Sequence, residues 1–274
     1  MLRVRPTVFV SDLEPWSAFL EGLGMIRTVD EPDLREFDAG GGRIALRRRQ
    51  LPGQAEDALN VVFGVEVGDP AEFVRRTVAD GTKAVVVDGG RAADVAGRDG
   101  FIFRADKAAH GAVCADADPD LTVVGVWLTT DLQHASQDLK NIGARPHADA
   151  SAGEADTGAG AVESPMPQEA YFTAKNGGVL AARAGTISGA EGETEADVPG
   201  TGGLEFEYRG GLDPLHERLA AAGIEARALY VGGPARRRAL ELRGPGGVKV
   251  MVREASGPRL PDAWKLPFPR DIVG

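Results

Sequence analysis

Residues able to do chemistry lie in a few places along this chain. Arg3, Arg5, Thr7 and Phe9 alternate along the first apolar strand, and Arg43, Ala45, Arg47 and Arg49 alternate along RIALRRR. Successive strand residues face opposite sides. If Val8, Val10, Ile44 and Leu46 pack inward, the two arginine series therefore share the opposite, concave face. A guanidinium is permanently charged and forks onto carboxylates or phosphates, so this face could hold an anionic ligand. In the alternative, the arginines line an exposed rim and pair with acidic neighbours. The same parity sends Glu66 to this face, and one carboxylate does not neutralise three guanidiniums. An anion site follows as an expectation, with Arg5, Arg43 and Arg47 as contacts, Thr7 as donor, Phe9 as apolar wall and Glu66 beside them. Farther along, Glu205, Glu207, Lys249, Met251 and Arg253 share a face with Val124, Val126 and Leu128. That face reads as a half-apolar pocket or as salt bridges on a partly solvated sheet.

The histidines do not form a metal motif. His134 and His216 sit among polar helical positions, His147 precedes a polar insertion, and His110 lies four residues before the single cysteine, Cys114. One cysteine excludes an intramolecular disulfide and a multi-cysteine zinc site. Asp116, Asp118 and Asp120 have the spacing of a calcium loop without its glycine and distal glutamate, and read as a linker. Neither a phosphate-binding glycine loop nor a hydrolase elbow occurs.

The framework that must position these residues is written four times. RPTVFVSDLEPWSAFLEGLGM, NVVFGVEVGDPAEFVRRTVADG, LTVVGVWLTTDLQHASQDLKNIG and GLEFEYRGGLDPLHERLAAAGI each pass from an apolar strand through a capping signal into an amphipathic helix. Glycine follows each helix, and short strands separated by turn residues come next. In the second copy those strands read as TKAVVVDGG, GFIFRAD and AVCA. Polar stretches near 148–166 and 187–202 read as loops. The unit is strand, helix, three strands. About 55 residues with a one-sided helix would be marginal alone, so the units are expected to pair.

Composition agrees with a folded, soluble chain. Of 274 residues 43% are hydrophobic and 26% charged, and 31 Lys and Arg against 41 Asp and Glu give a net charge of −10. That balance argues against nucleic-acid and anionic-membrane partners. No run of about 18 apolar residues occurs, and the chain reads as cytoplasmic, a monomer or homodimer.

The strand-to-helix signature VFVSDLEPWSAFLEGLGM, its echo VWLTTDLQHASQDLKNIG and the endings GGGRIALRR, KNGGVLAAR and GPGGVKVMV resemble the vicinal oxygen chelate superfamily. This is the group of glyoxalases, bleomycin-resistance proteins and extradiol dioxygenases. The resemblance spans nearly the whole chain. It implies an α+β fold of four βαβββ modules paired into two lobes, residues 1–118 and 119–274, with curved mixed sheets and helices on the outer face. It also implies a metal held by the first and last strands, through a histidine seven residues before the signature Asp and a glutamate on the last strand. Here the first set reads Arg5, Val62, Val124 and Gly203 or Leu204, and the second Ala45, Cys114, Ala181 and Met251. No cofactor is expected. The leading function is binding of a small organic ligand, anionic ligands included, without metal. A metal-dependent lyase, isomerase or dioxygenase with ligands elsewhere and a non-catalytic interaction scaffold are the alternatives, and whether any reaction is catalysed stays open.

Overall fold

The computed structural model describes residues 1–49, 60–109, 116–147, 168–185, 202–231 and 237–255. The first module runs β1 (Leu2–Val4), β2 (Thr7–Val10), α1 (Leu13–Gly22), β3 (Ile26–Glu31), β4 (Leu34–Asp38) and β5 (Arg43–Arg48). The second runs β6 (Asn60–Val62), β7 (Gly64–Val67), α2 (Pro70–Ala79), β8 (Lys83–Val87), β9 (Ala92–Ala96) and β10 (Ile102–Lys107). The third comprises β11 (Leu121–Thr129), α3 (Leu132–Asn141), β12 (Arg145–Pro146), β13 (Glu169–Thr173) and β14 (Val179–Ala184). The fourth comprises β15 (Gly202–Tyr208), α4 (Leu212–Ala221), β16 (Ala226–Val231), β17 (Arg237–Arg243) and β18 (Lys249–Glu254).

Helix starts follow the capping chemistry. Asp12, Asp69 and Asp131 each accept a backbone N–H of the first turn. The fourth helix departs from the pattern, beginning at Leu212 behind Gly211, so Asp213 and Pro214 lie inside the first turn rather than before it. The second module departs further. Its last strand is Ile102–Lys107, and its middle strand is Ala92–Ala96, which the sequence reading missed. The segment AVCA, the expected last strand, lies outside the described residues, as do His110, Cys114 and nearly all of both polar stretches.

In each module the first strand runs parallel to the last, and modules join through their first strands. β2 pairs antiparallel with β6 and β1 with β7, whereas β11 pairs antiparallel with β15. The interruption at Pro6, which has no N–H to give a ladder, separates β1 from β2. The ladders consequently divide into a five-stranded sheet, β1-β7-β10-β9-β8, and a thirteen-stranded one that passes from the first lobe to the second where Gly202 meets Val61.

The helix-bearing faces share one apolar core, to which α1 contributes Trp16, Phe19 and Leu20 and α4 contributes Leu215 and Leu219. Phe63, Phe101, Phe103 and Trp127 close it between the lobes, Phe101 stacking on Trp127 at 4.9 Å. Asp99 accepts from Trp127 Nε1 at 3.1 Å and from Thr129 at 2.6 Å. The glycine turns also interlock: Gly178 adopts φ +91°, and a Cβ there would lie 2.4 Å from the Val4 Cβ. Opposite the helices, each pair of modules presents a further sheet face, the first built from strands of both sheets, and there the charged residues collect.

Candidate functional site

On the first concave face, strand register brings carboxylates to the arginines. Asp38 lies beside Arg43, Glu36 beside Ala45 and Ala45 beside Thr7. Arg3 lies beside Glu66, and Glu66 beside Asp106. Arg43 is fully buried and donates to Asp38 through Nε at 2.5 Å and Nη2 at 3.1 Å. Its Nη1 lies 3.3 Å from Glu36 and 3.4 Å from Glu66. Arg5 donates to Glu36 at 3.0 Å and to Asp106 at 2.9 Å. Arg3 pairs with Glu66 and stands 3.6 Å from Asp38, while Arg104 pairs with Asp88 and, at 2.8 Å, with Asp106. Burial opposes the charge on Arg43, but Asp38, Glu66 and Glu36 outweigh it and raise its pKa above the ordinary value.

This geometry corrects the charge count behind the expected anion site. Four guanidiniums (Arg3, Arg5, Arg43 and Arg104) meet five carboxylates (Glu36, Asp38, Glu66, Asp88 and Asp106), so no positive charge is left over. Of the residues singled out, Arg5, Arg43 and Glu66 are brought into one network. Thr7 and Phe9 are half-buried on the same face, and Arg47 is exposed in an outer row beside Phe9 and Leu34. The missed carboxylates were signalled by LREFD: with Phe37 in the core, parity sends Glu36 and Asp38 to the cup.

The second concave face is built differently. Val124, Val126, Leu128, Val179 and Ala181 form an apolar floor of their own, with Tyr171 packed against it. Around it stand Glu169 and Tyr171 of β13, Arg183 of β14, Glu205 of β15 and Arg253 of β18. Arg183 grips Glu205 with two hydrogen bonds of 2.8 and 3.1 Å. Arg253 Nε lies 2.9 Å from the same carboxylate. Glu169 is 3.4 Å from Arg183 and 3.5 Å from Arg253, and accepts from the Tyr171 hydroxyl at 2.9 Å. Burial alone would raise the Glu205 pKa, yet Arg183 and Arg253 hold it below the usual carboxylate range. Burial, together with Glu169 and Glu205, pushes the Tyr171 phenol up against the opposing pull of Arg253 and Arg183. Glu207 is buried nearby, 3.9 Å from His147. Sequence parity found Glu205, Glu207 and Arg253. It missed Glu169, Tyr171 and Arg183 because the strand EAYFT follows a long polar stretch and was not assigned a face.

A separate concavity of about 410 Å³ at the edge of the second lobe is lined by Glu225, Arg227, Glu241, Arg243 and Lys249 among others. It is solvent-facing, and its charges pair with one another at 3.7 Å (Arg243 with Glu225) and 3.3 Å (Lys249 with Glu241).

The register also tests the metal that the resemblance implies. Thr7 pairs with Ala45 and Gly64 with Arg104, so the last-strand position of the second module is Arg104, not Cys114. Val126 opposes Gly203, which settles the fourth first-strand position as Gly203 rather than Leu204. The eight positions are thus Arg5, Ala45, Val62, Arg104, Val124, Ala181, Gly203 and Met251, of which only the Met251 thioether is even a weak donor. Among the described residues, no group of three or more His, Cys, Asp or Glu is placed to hold a metal ion. These residues do not fit the family's metal.

Comparison with family models finds no match, and no curated protein matches the sequence. Solved structures do match in fold. LapB, a 2,3-dioxygenase from a Pseudomonas species, is 12% identical with a TM-score of 0.57, covering 95% of this chain and 94% of its own. A catechol 2,3-dioxygenase is 13% identical with a TM-score of 0.53, covering 94% and 90%. Homoprotocatechuate 2,3-dioxygenase from Brevibacterium fuscum, in complex with 3,4-dihydroxyphenylacetate, is 13% identical with a TM-score of 0.54, covering 93% and 81%. The chain is similar to these extradiol enzymes in its vicinal oxygen chelate type of fold, an α+β arrangement of large curved mixed sheets. Among the described residues no helix is long and apolar enough to cross a membrane.

Proposed function

We propose that this chain binds a small organic molecule in its second concave face without a metal ion, as the sequestering resistance proteins of the resemblance do. One observation carries the reading: Val124, Gly203 and Met251 stand at the ligand positions of the lobe whose face keeps an apolar floor beside a half-buried tyrosine and two arginines. Because Val124, Val126 and Leu128 are already buried, an apolar body would reach this floor by taking the place of the Tyr171 side chain packed against it. Polar groups of the ligand would meet Tyr171, Arg183 and Arg253 at the rim. The first face, whose Arg3, Asp38, Arg43 and Glu66 are nearly inaccessible and mutually paired, favours a scaffold role for that lobe.

The test is elemental analysis of the purified protein combined with a thermal-shift screen of small aromatic molecules before and after treatment with a chelator. Stabilisation by at least one aromatic class, unchanged by the chelator, with no stoichiometric transition metal, is the expected result. A bound metal near one per chain whose removal abolishes the shift would overturn the reading in favour of a metal-dependent enzyme.

A further inference from the structure

Among the described residues, β3, β8, β12 and β16 each pair with a strand on one side only. An open row of N–H and C=O groups is a template for another strand, and proteins blunt such edges with bulges, proline, charge or brevity. β3 has a bulge between Arg27 and Val29 and ends in Asp30 and Glu31, β12 is two residues long and ends at Pro146, and β16 carries Arg227. β8 has none of these devices beyond Lys83 at its start; Ala84, Val85, Val86 and Val87 follow. Val85 is 58% and Val86 37% exposed, and Val78 of α2, the helix packed on β8, is 51% exposed. Register settles which backbone groups of this edge are open. The Gly97 N–H donates to the Phe101 carbonyl and the Lys107 N–H to the Arg91 carbonyl, so odd residues of β9 bond to β10 and even ones to β8. Asp94 lies beside Val85, so Lys83, Val85 and Val87 turn their backbone groups inward, and Ala84 and Val86 turn theirs out to the edge.

We infer that β8 is a self-association edge: a second copy of this chain pairs with it antiparallel about a two-fold axis at Val85, joining the two five-stranded sheets into one. In that register Ala84 opposes Val86 of the second copy and Val86 opposes its Ala84. The outward N–H and C=O groups of both residues are then all used, in four interstrand hydrogen bonds. Neighbouring registers fit less well. Centring on Ala84 calls on the Thr82 N–H, which already donates to the Thr77 carbonyl, and centring on Val86 calls on Asp88, whose φ of +51° takes it out of the strand. With the axis at Val85, the two Val85 side chains meet on one face, and Val86 meets Ala84 on the face of α2, so both exposed valines gain a cross-strand partner. Charge agrees with self-pairing. Lys83 opposes Val87 of the second copy and comes beside the Asp88 that follows it, and the two-fold axis repeats this cation–anion approach. The contact is isologous, so it closes as a dimer. It lies on the first lobe and does not depend on what the second face binds.

The test uses the full chain in two measurements. In sedimentation equilibrium, wild type is expected to form a dimer in a concentration-dependent way. Val86→Pro removes an N–H that the chain itself does not use, and the axis makes the loss count twice, so the dimerisation constant is expected to fall about tenfold or more with the helix and strand content of the monomer kept. In the second measurement, Val85→Cys and Val87→Cys are compared under mild oxidation, each with Cys114→Ser. The two Val85 positions form a non-hydrogen-bonded pair with Cα atoms about 4.5 Å apart, within disulfide reach, whereas the two Val87 positions stand four residues out of register, about 13 Å apart. Val85→Cys is therefore expected to give a disulfide-linked dimer and Val87→Cys to stay single-chain. A wild-type chain that stays monomeric at all concentrations, a dimer that Val86→Pro leaves intact, as pairing through β16 would give, or equal cross-linking from both cysteines would overturn the inference. The cross-linking comparison decides by itself where Val86→Pro fails to fold.

Discussion

Replacing Arg43 by Met tests whether the first face is sealed by its ion pairs. Met keeps most of the bulk, so the cavity contribution is small and the loss reports on charge. Asp38, itself fully buried, then loses both hydrogen bonds from Arg43, with Arg3 standing 3.6 Å away, while Glu36 and Glu66 lose their contacts at 3.3 and 3.4 Å. Removing one partner of a buried pair typically costs about 3–5 kcal/mol, because the stranded charge has no water to return to. For a chain of this size that corresponds to a fall in Tm of roughly 6–20 °C. Urea unfolding at pH 7 measures this. Adding Asp38→Asn should restore part of the loss, since it removes the stranded charge. A loss below about 1 kcal/mol, unrelieved by Asp38→Asn, would refute the sealed network and restore the arginines to a solvated rim.

Two further outcomes follow from the geometry. Gly178→Ala should destabilise by more than about 2 kcal/mol in chemical denaturation, because φ of +91° and a 2.4 Å approach to Val4 both exclude a Cβ; near-neutral behaviour would mean that the interlocked turns yield. The Glu205 pKa is held below its ordinary value of 4.5 in the folded protein, so its contribution is fully present above that value and is lost as pH falls through the lower folded one. Glu205→Gln should therefore be less stable than wild type at pH 7, and the gap should narrow below about pH 4.5; a gap that stays constant with pH would show that Glu205 is not held ionised by its arginines.

The fold was legible because its signals are local and repeated. Asp12, Asp69 and Asp131 cap helices by accepting N–H groups within three residues, and alternation along TVFV and RIAL assigns faces without knowledge of partners. The second module resisted for a physical reason. In AADVA the residues facing the core are alanine and valine alone, so Ala92–Ala96 gives little periodic contrast, and the last-strand position was displaced from Arg104 to Cys114.

The site was less legible because its electrostatics are settled by strands that are not neighbours in sequence. Arg43 and Asp38 are five residues apart and could have been paired from alternation alone. Arg5 with Asp106 and Arg183 with Glu205 are separated by 101 and 22 residues, and only the pairing of modules brings them together. The difference between the two faces comes from the same source. In the first, carboxylates arrive from β4, β7 and β10 and compensate every buried guanidinium. In the second, Glu169, Glu205 and Glu207 face Arg183 and Arg253, Glu169 at the rim with long contacts, and the floor beneath is apolar rather than charged. An arginine placed where the resemblance implies a cation therefore does not by itself make an anion site. What decides is whether carboxylates from neighbouring strands already compensate it, as Glu36, Asp38 and Glu66 do for Arg43.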